Sequence, residues 1–364
     1  MKILEIANTV GVIYKFRFEL IKKMVEKGHE VLLVAQNEND DLAELLTLKV
    51  KYKEVKMSRR GINIIKDLNV IRQYYKIIKK FNPDKTLTYT IKANIYGGIV
   101  ARLTKNKHIA TVTGAGASFQ ENNWLQKTVV LLNKFALKKT ETVFFQNLEN
   151  RKTYLDFNII KKENAVMVNG SGVNLKKFYF QEKTIKEDHP AILFIARIMK
   201  TKGIEEYLEM AKIIIEKGYK VEFQLLGSYE EKQWKEKVEN YEKKGYVKYL
   251  GVSNDVRKQI INCDIVINPS YYEGMSNVLL EAGAMGKLLL GSNIGGIKEI
   301  IGPAYKGLLF ERQNVSDMVE KIEKVLREKD KVKIKQIEKQ MAFIKDNFSR
   351  DLVVEEYIKV IEMN

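Results

Sequence analysis

The stretch NPSYYEGMSNVLLEAGAMGK at residues 268–287 shows how this chain is built. An apolar run, Ile-Val-Ile at 265–267, leads into it and is typical of a buried strand, which the following Pro-Ser pair ends. An apolar helical run follows from about residue 276. Within that run lies Glu281, although a carboxylate is costly to bury without a partner. Strand, loop and helix in this order favour a parallel α/β sheet with a ligand at the loop.

The same alternation of strands and helices extends through the whole chain. The predicted strands are 2–8, 30–36, 50–57, 85–90, 107–114 and 142–147 in the first half, and 191–198, 221–227, 246–251, 264–270, 287–293 and 307–310 in the second. The predicted helices are 16–27, 64–81, 94–103 and 124–139, then 204–217, 230–243, 254–262, 276–285 and 316–328. This alternation predicts an α/β protein with two doubly wound, Rossmann-like domains and a cleft between them.

A polar stretch at 181–190 separates the two halves and reads as the linker. We therefore predict an N-terminal domain at 1–180 and a C-terminal domain at 181–345. The last 35 or so residues are helical and charged, and we expect the helix at 346–364 to return to the N-terminal domain.

Length and composition set the broad class of protein. A chain of 364 residues with 45% hydrophobic residues can bury two sizeable cores. The single cysteine, Cys263, lies in a strand-like run, which favours a buried core thiol in a reducing compartment. The first residues read as a short strand without the apolar core of a signal peptide, and no apolar run approaches the ~18 residues of a membrane span. These features predict a cytoplasmic protein.

The positive charge is concentrated in the first half of the chain. Residues 1–180 hold 32 Lys and Arg against 16 Asp and Glu, whereas residues 181–364 hold 31 against 30. A Lys-rich, Pro-poor composition could produce a basic chain without functional meaning. The difference between the halves points instead to an anionic partner of one domain, either nucleic acid or a membrane surface.

The loop Glu273-Gly274-Met275-Ser276-Asn277 precedes a helix and suits an anion. The first amides of a helix have no internal partner and lie at the positive end of its dipole, which favours phosphate. Gly274 permits close approach of a ligand to the backbone. Glu281 could reach ribose hydroxyls, and Glu273 could accept bonds from a sugar. In the alternative interpretation Ser276 or Asn277 is a plain helix cap and Glu281 a surface residue.

Two cations are predicted near the same edge of the sheet. Arg197 ends the first strand of the C-terminal domain, and Lys202 stands just before a helix. Each alone would be weak evidence for a site. Together with a helix N-terminus, the two cations suit a diphosphate.

These segments resemble a known family. FIARIMKTKG (194–203), LGVSNDV (250–256), PSYYEGMSNVLLEAGAMGK (269–287) and GSNIGGIKEII (291–301) resemble the donor half of retaining, GT-B-fold glycosyltransferases of family 4, also called group 1. The spacing of Glu273 and Glu281 matches that family's E-x7-E signature. TYTIKANIYGGI (88–99), TVTGAGASF (111–119) and VFFQN (143–147) resemble the bacterial branch that builds capsule, O-antigen and lipid-linked glycans.

The resemblance implies a role for each matching residue. Arg197 and Lys202 would neutralise the donor diphosphate, Glu281 would hold the ribose, and Glu273 the transferred sugar; the catalytic set is Arg197, Lys202 and Glu273. The other donor-binding residues would be Gly11, Asn254, Gly274, Met275, Ser276 and Asn277, with Asn254 near the base and Gly11 in a turn against the diphosphate or acceptor. The expected acceptor-binding residues are Lys15, Arg17, Lys92, Asn94, Gly114 and Gly116.

Two departures from the family pattern concern the chemistry. Ala196 stands where the family more often has Gly before the Arg, which we expect to be tolerated. Many members carry a His after the fifth N-terminal strand, but none of the three histidines here falls there.

No D-x-D motif occurs, so a metal that bridges the diphosphate is not indicated, and Arg197, Lys202 and the helix dipole can take its place. No other cofactor is expected. The resemblance implies front-face attack with retention, in which the leaving phosphate oxygen takes the acceptor proton. A double displacement would need a nucleophilic carboxylate that the sequence does not identify.

The resemblance also implies the partners: a UDP-sugar donor and a sugar acceptor on a polyprenyl diphosphate, at the inner face of the cell membrane. The segment 124–139 combines Trp124 and a Val-Leu run with Lys127, Lys134, Lys138 and Lys139, as a basic interfacial helix would. The alternative is a helix that packs its apolar face into the core and leaves its lysines solvated.

Three other classes of protein would account for part of these features. A nucleotide-sugar 2-epimerase of the same two-domain fold would need acid and base groups on both sides of the sugar, and the N-terminal half shows few. A nucleic-acid-binding protein would explain the charge, but aromatic residues are not interleaved with basic ones as a stacking platform. A Rossmann dehydrogenase is disfavoured because the first strand-turn-helix lacks G-x-G-x-x-G.

Overall fold

The computed structural model describes residues 1–38, 41–57, 64–114, 119, 124–182, 189–305 and 308–363, with only the backbone of residues 64 and 125. The chain forms two compact units. Unit 1 consists of Met1–Gly172 and Arg350–Asn364, and unit 2 of Val173–Ser349. Sequence placed the boundaries at 180/181 and 345/346. The first of these lies eight residues too late because Val173 packs into the core of unit 2 and its amide donates to the Phe348 carbonyl.

Unit 1 is a seven-stranded parallel sheet with helices on both faces. Its strands are β1 Lys2–Thr9, β2 Glu30–Gln36, β3 Lys51–Glu54, β4 Lys85–Tyr89, β5 Lys107–Val112, β6 Thr142–Phe145 and β7 Ala165–Met167, in the order β3-β2-β1-β4-β5-β6-β7. Its helices are α1 Val10–Glu26, α2 Asp41–Leu46, α3 Ile64–Phe81, α4 Ile91–Thr104, α5 Trp124–Leu137, α6 Leu148–Asp156 and, at the end of the chain, α14 Arg350–Glu362.

The sheet of unit 1 separates two apolar cores, because alternate side chains of a strand point to opposite faces. On one face Leu4 and Ile6 of β1 pack in a cluster with residues of α3, α4, α5 and α6. On the other face Ile3 packs in a cluster with residues of α1, α2 and α14. Helices α3–α6 therefore cover one face and helices α1, α2 and α14 the other.

Unit 2 is a six-stranded parallel sheet. Its strands are β8 Ala191–Ile195, β9 Glu222–Leu226, β10 Lys248–Tyr249, β11 Ile265–Asn268, β12 Leu288–Ser292 and β13 Leu309–Phe310, in the order β10-β9-β8-β11-β12-β13. Its helices are α7 Ile204–Glu216, α8 Gln233–Lys243, α9 Arg257–Asn262, α10 Asn277–Ala284, α11 Lys298–Tyr305, α12 Val315–Arg327 and α13 Asp330–Phe348. The two doubly wound units confirm the predicted fold class.

Each sheet reverses its winding direction beside its first strand. β1 lies between β2 and β4, and β8 lies between β9 and β11. In open α/β sheets, ligands bind outside the carboxyl ends of the strands at such a switch point. A site in unit 2 is therefore expected at the carboxyl ends of β8 and β11, and a site in unit 1 at those of β1 and β4.

Four elements were absent from the sequence prediction, namely α2, α6, β7 and α11. All are short, and short segments carry little periodicity. The start of α1 was also wrong. The helix begins at Val10 rather than at 16, so β1 passes directly into it and Gly11 lies in its first turn instead of in a separate turn.

Candidate functional site

The loops after β8 and β11 lie against each other at the switch point of unit 2. Lys202 ends a short 3-10 turn, Lys200–Lys202, that follows β8. The amide of Tyr271, in the loop after β11, donates to the Thr201 carbonyl at 2.9 Å. Gly203 has φ +76°, and a Cβ there would lie 2.2 Å from the Pro269 carbonyl oxygen. Glycine at 203 is therefore required both by its backbone conformation and by the closeness of the two loops.

Lys202 and Glu273, two predicted site residues, form an ion pair at this junction. Their Nζ and Oε1 atoms are 2.6 Å apart, and each side chain is 18% exposed. The Ser270 hydroxyl donates to the same carboxylate oxygen at 3.1 Å. A half-buried pair held by an extra donor has a defined geometry, unlike an exposed pair that solvent and salt screen.

The loop 273–277 is anchored on three sides. The Ser276 hydroxyl caps α10 by accepting from the Leu279 amide, and it also accepts from the Asn268 side-chain amide at 2.8 Å. The Ser276 amide donates to the Gly296 carbonyl at 3.3 Å. Gly296 has φ +78°, and a Cβ there would lie 2.1 Å from the Gly274 carbonyl oxygen. The expectation that the amide of Ser276 serves a ligand is thus corrected, because that amide is used within the protein.

Arg197 lies just beyond β8, beside the end of β9. Its Nη1 atom is 3.5 Å from Glu230 Oε1, and its side chain is 40% exposed. A Cβ on Gly227 would lie 1.8 Å from the Ala196 carbonyl oxygen, so the backbone here approaches as closely as glycine permits. The Ala196 methyl packs against the core of unit 2, which accommodates this departure from the family pattern.

Glu281 is not a buried carboxylate. It lies on α10 between the buried residues Leu280 and Ala282, but its own side chain is partly exposed. Asn254 lies in an exposed bend after β10. The Gly227 amide donates to the Gly251 carbonyl at 2.8 Å, which ties this bend to the end of β9. Met275 is different, because its side chain is buried in the core and only its backbone can face a ligand.

Several residues that shape the loop after β11 were not predicted. The Tyr271 hydroxyl donates to Glu206 Oε1 at 2.6 Å, and burial together with this bond raises the pKa of Tyr271. Arg312 donates to the Tyr271 carbonyl at 3.3 Å and lies over the Tyr272 ring. Arg312 and Glu206 are distant in sequence from the loop, so no local motif indicates them. Asn268 lies in the quoted stretch 268–287 but is not among the predicted site residues.

In unit 1, the backbone at the switch point is strained. Thr90 follows β4 with φ +80°, which is rare for a β-branched residue. Its hydroxyl donates to Asn8 Oδ1 at 2.7 Å, which joins the ends of β1 and β4. Lys92 at the start of α4 pairs with Asp67 at 3.4 Å.

Two of the five other predicted acceptor residues, all in unit 1, make no contact within the described chain that defines a site. Lys15 is exposed on α1 and Gly114 follows β5, whereas Gly116 lies outside the described residues.

Arg17 is buried, which contradicts the expectation that it faces an acceptor. Its guanidinium carbon lies 4.5 Å from the centre of the Tyr89 ring and 4.9 Å from that of Tyr357, and Nη2 donates to the Tyr357 hydroxyl. Burial raises the pKa of the neighbouring Glu5 carboxyl to about 7, while the charge of Arg17 opposes that rise. The reason for the error is the early start of α1, which places Arg17 on the helix face that packs on the sheet.

Asn94 is also buried and is corrected in the same way. Its Oδ1 accepts from the Thr88 hydroxyl at 2.7 Å, and its Nδ2 donates to the Thr111 carbonyl at 2.8 Å. The adjacent His108 lies between the hydroxyls of Thr88 and Thr140. Burial lowers the pKa of His108 to about 3, so this histidine stays neutral. These side chains hold β4, β5 and α4 together, and their burial keeps them out of reach of a ligand.

Within the described ranges, no three His, Cys, Asp or Glu side chains are grouped to hold a metal ion. The helices of the described chain include none that is both long and apolar enough to cross a membrane.

Comparison with known proteins defines the class of protein. The family model "Glycosyl transferases group 1" matches residues 176–346, and the model "Glycosyl transferase 4-like" matches residues 2–147. The Anabaena Alr3699/HepE protein, solved in complex with UDP and glucose, superposes with a TM-score of 0.80 over 99% of both chains at 14% identity. The fold is therefore GT-B, and the chain belongs to the group 1 glycosyltransferases.

Two relatives of known activity place the chain more closely. The N,N'-diacetylbacillosaminyl-diphospho-undecaprenol alpha-1,3-N-acetylgalactosaminyltransferase of Campylobacter jejuni is 30% identical over 100% of this chain and 98% of its own length. The UDP-Gal:alpha-D-GlcNAc-diphosphoundecaprenol alpha-1,3-galactosyltransferase of Escherichia coli is 26% identical over 74% of this chain and 73% of its own length.

Proposed function

We propose that this chain is a retaining, metal-independent glycosyltransferase that acts on a lipid-linked acceptor. It would move a hexose or N-acetylhexosamine from a UDP-sugar to a sugar carried on a polyprenyl diphosphate, in the synthesis of bacterial surface glycans or protein-glycosylation precursors. The observation that carries this proposal is the full-length similarity to a transferase whose acceptor is a diphospho-undecaprenol sugar. The Lys202–Glu273 pair at the switch point of unit 2 supports the proposal, because it holds a cation for the diphosphate beside a carboxylate for the transferred sugar.

The donor would be held by unit 2. Arg197 and Lys202 would neutralise the diphosphate, supported by the positive end of α10. Glu281 would accept bonds from the ribose hydroxyls, and Glu273 from the hydroxyls of the transferred sugar. Because Lys202 already neutralises Glu273, a bound diphosphate would share that lysine rather than meet an uncompensated carboxylate.

The proposed reaction occurs on one face of the sugar. The bond between the anomeric carbon and the β-phosphate oxygen breaks, and the acceptor hydroxyl oxygen bonds to the same face of that carbon. The acceptor proton passes to the β-phosphate oxygen, and UDP leaves. The role of the protein is to stabilise negative charge on the departing diphosphate, for which preorganised cations are effective.

Arg197→Ala and Glu281→Ala are each expected to lower kcat/KM about ten- to a hundred-fold while the protein stays folded. Loss of a hydrogen bond to a charged group costs about 1.5–3 kcal/mol. Arg327→Ala and Glu320→Ala serve as controls, because these residues lie on α12 with their side chains largely exposed. Near-normal turnover by Arg197→Ala would remove the diphosphate assignment.

Activity is expected to persist in excess EDTA, since Arg197, Lys202 and a helix end would replace a metal at the diphosphate. Turnover should be measured after dialysis against the chelator and again after Mg²⁺ or Mn²⁺ is added. Complete loss that either ion restores would contradict the metal-independent proposal.

The nucleotide can be tested without knowing the sugar or the acceptor. A ligand that binds only the folded state raises the melting temperature with its occupancy. UDP is expected to raise the melting temperature of this protein more than GDP or NAD does. Equal shifts with UDP and GDP would contradict the choice of nucleotide, and a shift with NAD alone would contradict the transferase proposal.

The acceptor implies where the enzyme works. The polyprenyl chain of such an acceptor stays in the bilayer and holds its sugar at the membrane surface. We therefore propose that the protein is cytoplasmic, associates peripherally with the anionic inner face of the cell membrane, and has no nucleic-acid partner.

A further inference from the structure

The helices of unit 1 are sorted by charge across its sheet. Helices α3–α6 on one face contain eleven Lys and Arg residues against three Asp and Glu. Helices α1, α2 and α14 on the other face contain six against eight. Lys138 and Lys139 follow α5 directly and add to the first face. The positive charge of the first half is therefore concentrated on one face of unit 1. A general enrichment in lysine would raise the charge of both faces.

The same face exposes large apolar side chains. On α5, Trp124 is 73% exposed, Leu131 67% and Phe135 48%, at helical spacing along the outer side. The inner side of α5, including Val130 and Ala136, packs in the core. Further exposed apolar residues lie on the neighbouring helices: Ile65, Leu68 and Tyr75 on α3 and Leu103 on α4. The core therefore uses one side of α5 and leaves a second apolar stripe in solvent.

The cations near this stripe are available to a partner. Lys127, Lys134 and Lys138 are exposed, and no acidic residue of the described chain lies within ion-pair distance of them. Arg102 on α4 lies over the Phe135 ring at 4.3 Å, which joins α4 to the patch. On the opposite face, by contrast, Lys27 is paired with Glu362.

We infer that the α3–α6 face, centred on α5, docks on an anionic phospholipid surface. Trp124, Leu131 and Phe135 enter the boundary between headgroups and acyl chains, and the lysines face the lipid phosphates. Nucleic acid fits less well, because aliphatic side chains separate the exposed rings of this face and offer no surface on which a base can stack; they are Ile65, Leu68, Leu103 and Leu131. The inference deepens the proposed function, on which it rests, by naming the surface that would meet the acceptor's membrane.

Trp124 is a built-in probe of this contact. The protein has two tryptophans, and the other, Trp234, is buried in unit 2. In a Trp234→Phe variant, emission is expected to shift to the blue with vesicles containing phosphatidylglycerol, and brominated acyl chains should quench it. Vesicles of phosphatidylcholine alone should have less effect, and salt should weaken binding. Co-sedimentation of the parent chain with the same vesicles gives the affinity without that substitution.

Matched triple variants locate the surface. The first replaces three exposed lysines of the docking face by serine: Lys127, Lys134 and Lys138. The control replaces three exposed lysines of the opposite face by serine: Lys22, Lys23 and Lys359. The first triple should weaken vesicle binding about a hundred-fold, and the control should bind as the parent does. Leu131→Ser with Phe135→Ser should reduce binding even at low salt.

Four results would overturn the inference: equal loss in both triples, no vesicle binding by the parent, stronger binding to a single-stranded oligonucleotide than to vesicles, or self-association through this face in light scattering.

Hydrolysis of the donor alone needs no membrane and should be unchanged in both triples. A parent that transfers sugar to a detergent-dissolved acceptor but never binds vesicles would refute the docking surface and leave the proposed function standing. A parent that binds vesicles but not UDP would refute the proposed function and leave the docking surface standing.

Discussion

Lys202→Met is expected to lower kcat/KM with a UDP-sugar by about a hundred- to a thousand-fold. The lysine would supply a charge-assisted bond to the donor diphosphate, about 1.5–3 kcal/mol. Its loss would also leave the Glu273 carboxylate uncompensated, with both side chains only 18% exposed. An unpaired carboxylate beside a diphosphate repels it, so the two effects together amount to roughly 3–4 kcal/mol of transition-state stabilisation.

A second ion pair of similar burial provides the control. Lys321 and Asp317 on α12 are 3.0 Å apart with side chains 21% and 20% exposed. Lys321→Met should therefore cost similar stability but little activity. Glu273→Gln in the Lys202→Met background removes the uncompensated charge and should recover part of the loss. Equal activity of Lys202→Met and Lys321→Met would remove Lys202 from the donor site.

Long periodic elements could be predicted from sequence because burial imposes a period on them. Strand β2 and helix α3 were predicted with their observed ends. The short elements α2 and β7 were missed, since a single turn of helix or three residues of strand show no period. The start of α1 was placed too late because Thr9 and Val10 are poor helix formers, and tertiary packing outweighs that preference.

The candidate site divides in the same way. The loop at 273–277 follows an apolar strand, so its position at a strand end could be predicted, and its Glu, Gly and Ser residues indicated a polar ligand. The orientation of a side chain within a helix could not. Arg17 and Asn94 belong to segments that follow strands, yet the helix phase directs both side chains into the core. The contribution of Arg312 depends on tertiary contact with a loop 41 residues away, which one sequence does not encode locally.

The basic helix 124–139 shows what structure adds to a composition argument. Sequence left two interpretations open, a core-facing helix or an interfacial one. The structure shows that α5 has an apolar inner side in the core and a second apolar stripe, with Trp124 and Leu131, in solvent. A helix that only packs against the core needs apolar residues on its inner side alone. Packing within unit 1 therefore does not account for the exposed apolar stripe.

Gly296→Ala is expected to lower turnover about a hundred-fold and to weaken UDP binding. The new methyl group would lie 2.1 Å from the Gly274 carbonyl oxygen, so the two loops must separate by about 1 Å to restore ordinary contact. That movement displaces the backbone of the loop at 273–277, which leads into α10 at the proposed diphosphate site, and misplacement by about 1 Å can cost a hundred-fold in rate. Steady-state kinetics and UDP titration calorimetry would measure the two effects.

Gly296→Ala also imposes strain that has nothing to do with the site, because alanine at positive φ costs roughly 1 kcal/mol. Gly245→Ala isolates that cost: Gly245 has φ +75°, close to the +78° of Gly296, but a Cβ there meets nothing within 4 Å. Both variants should lose a few degrees of melting temperature. Only Gly296→Ala should lose turnover and UDP affinity, because only its methyl group meets the loop at 273–277. If both variants lose activity to the same extent, backbone strain explains the loss. The contact between Gly296 and the loop at 273–277 then does not position the donor.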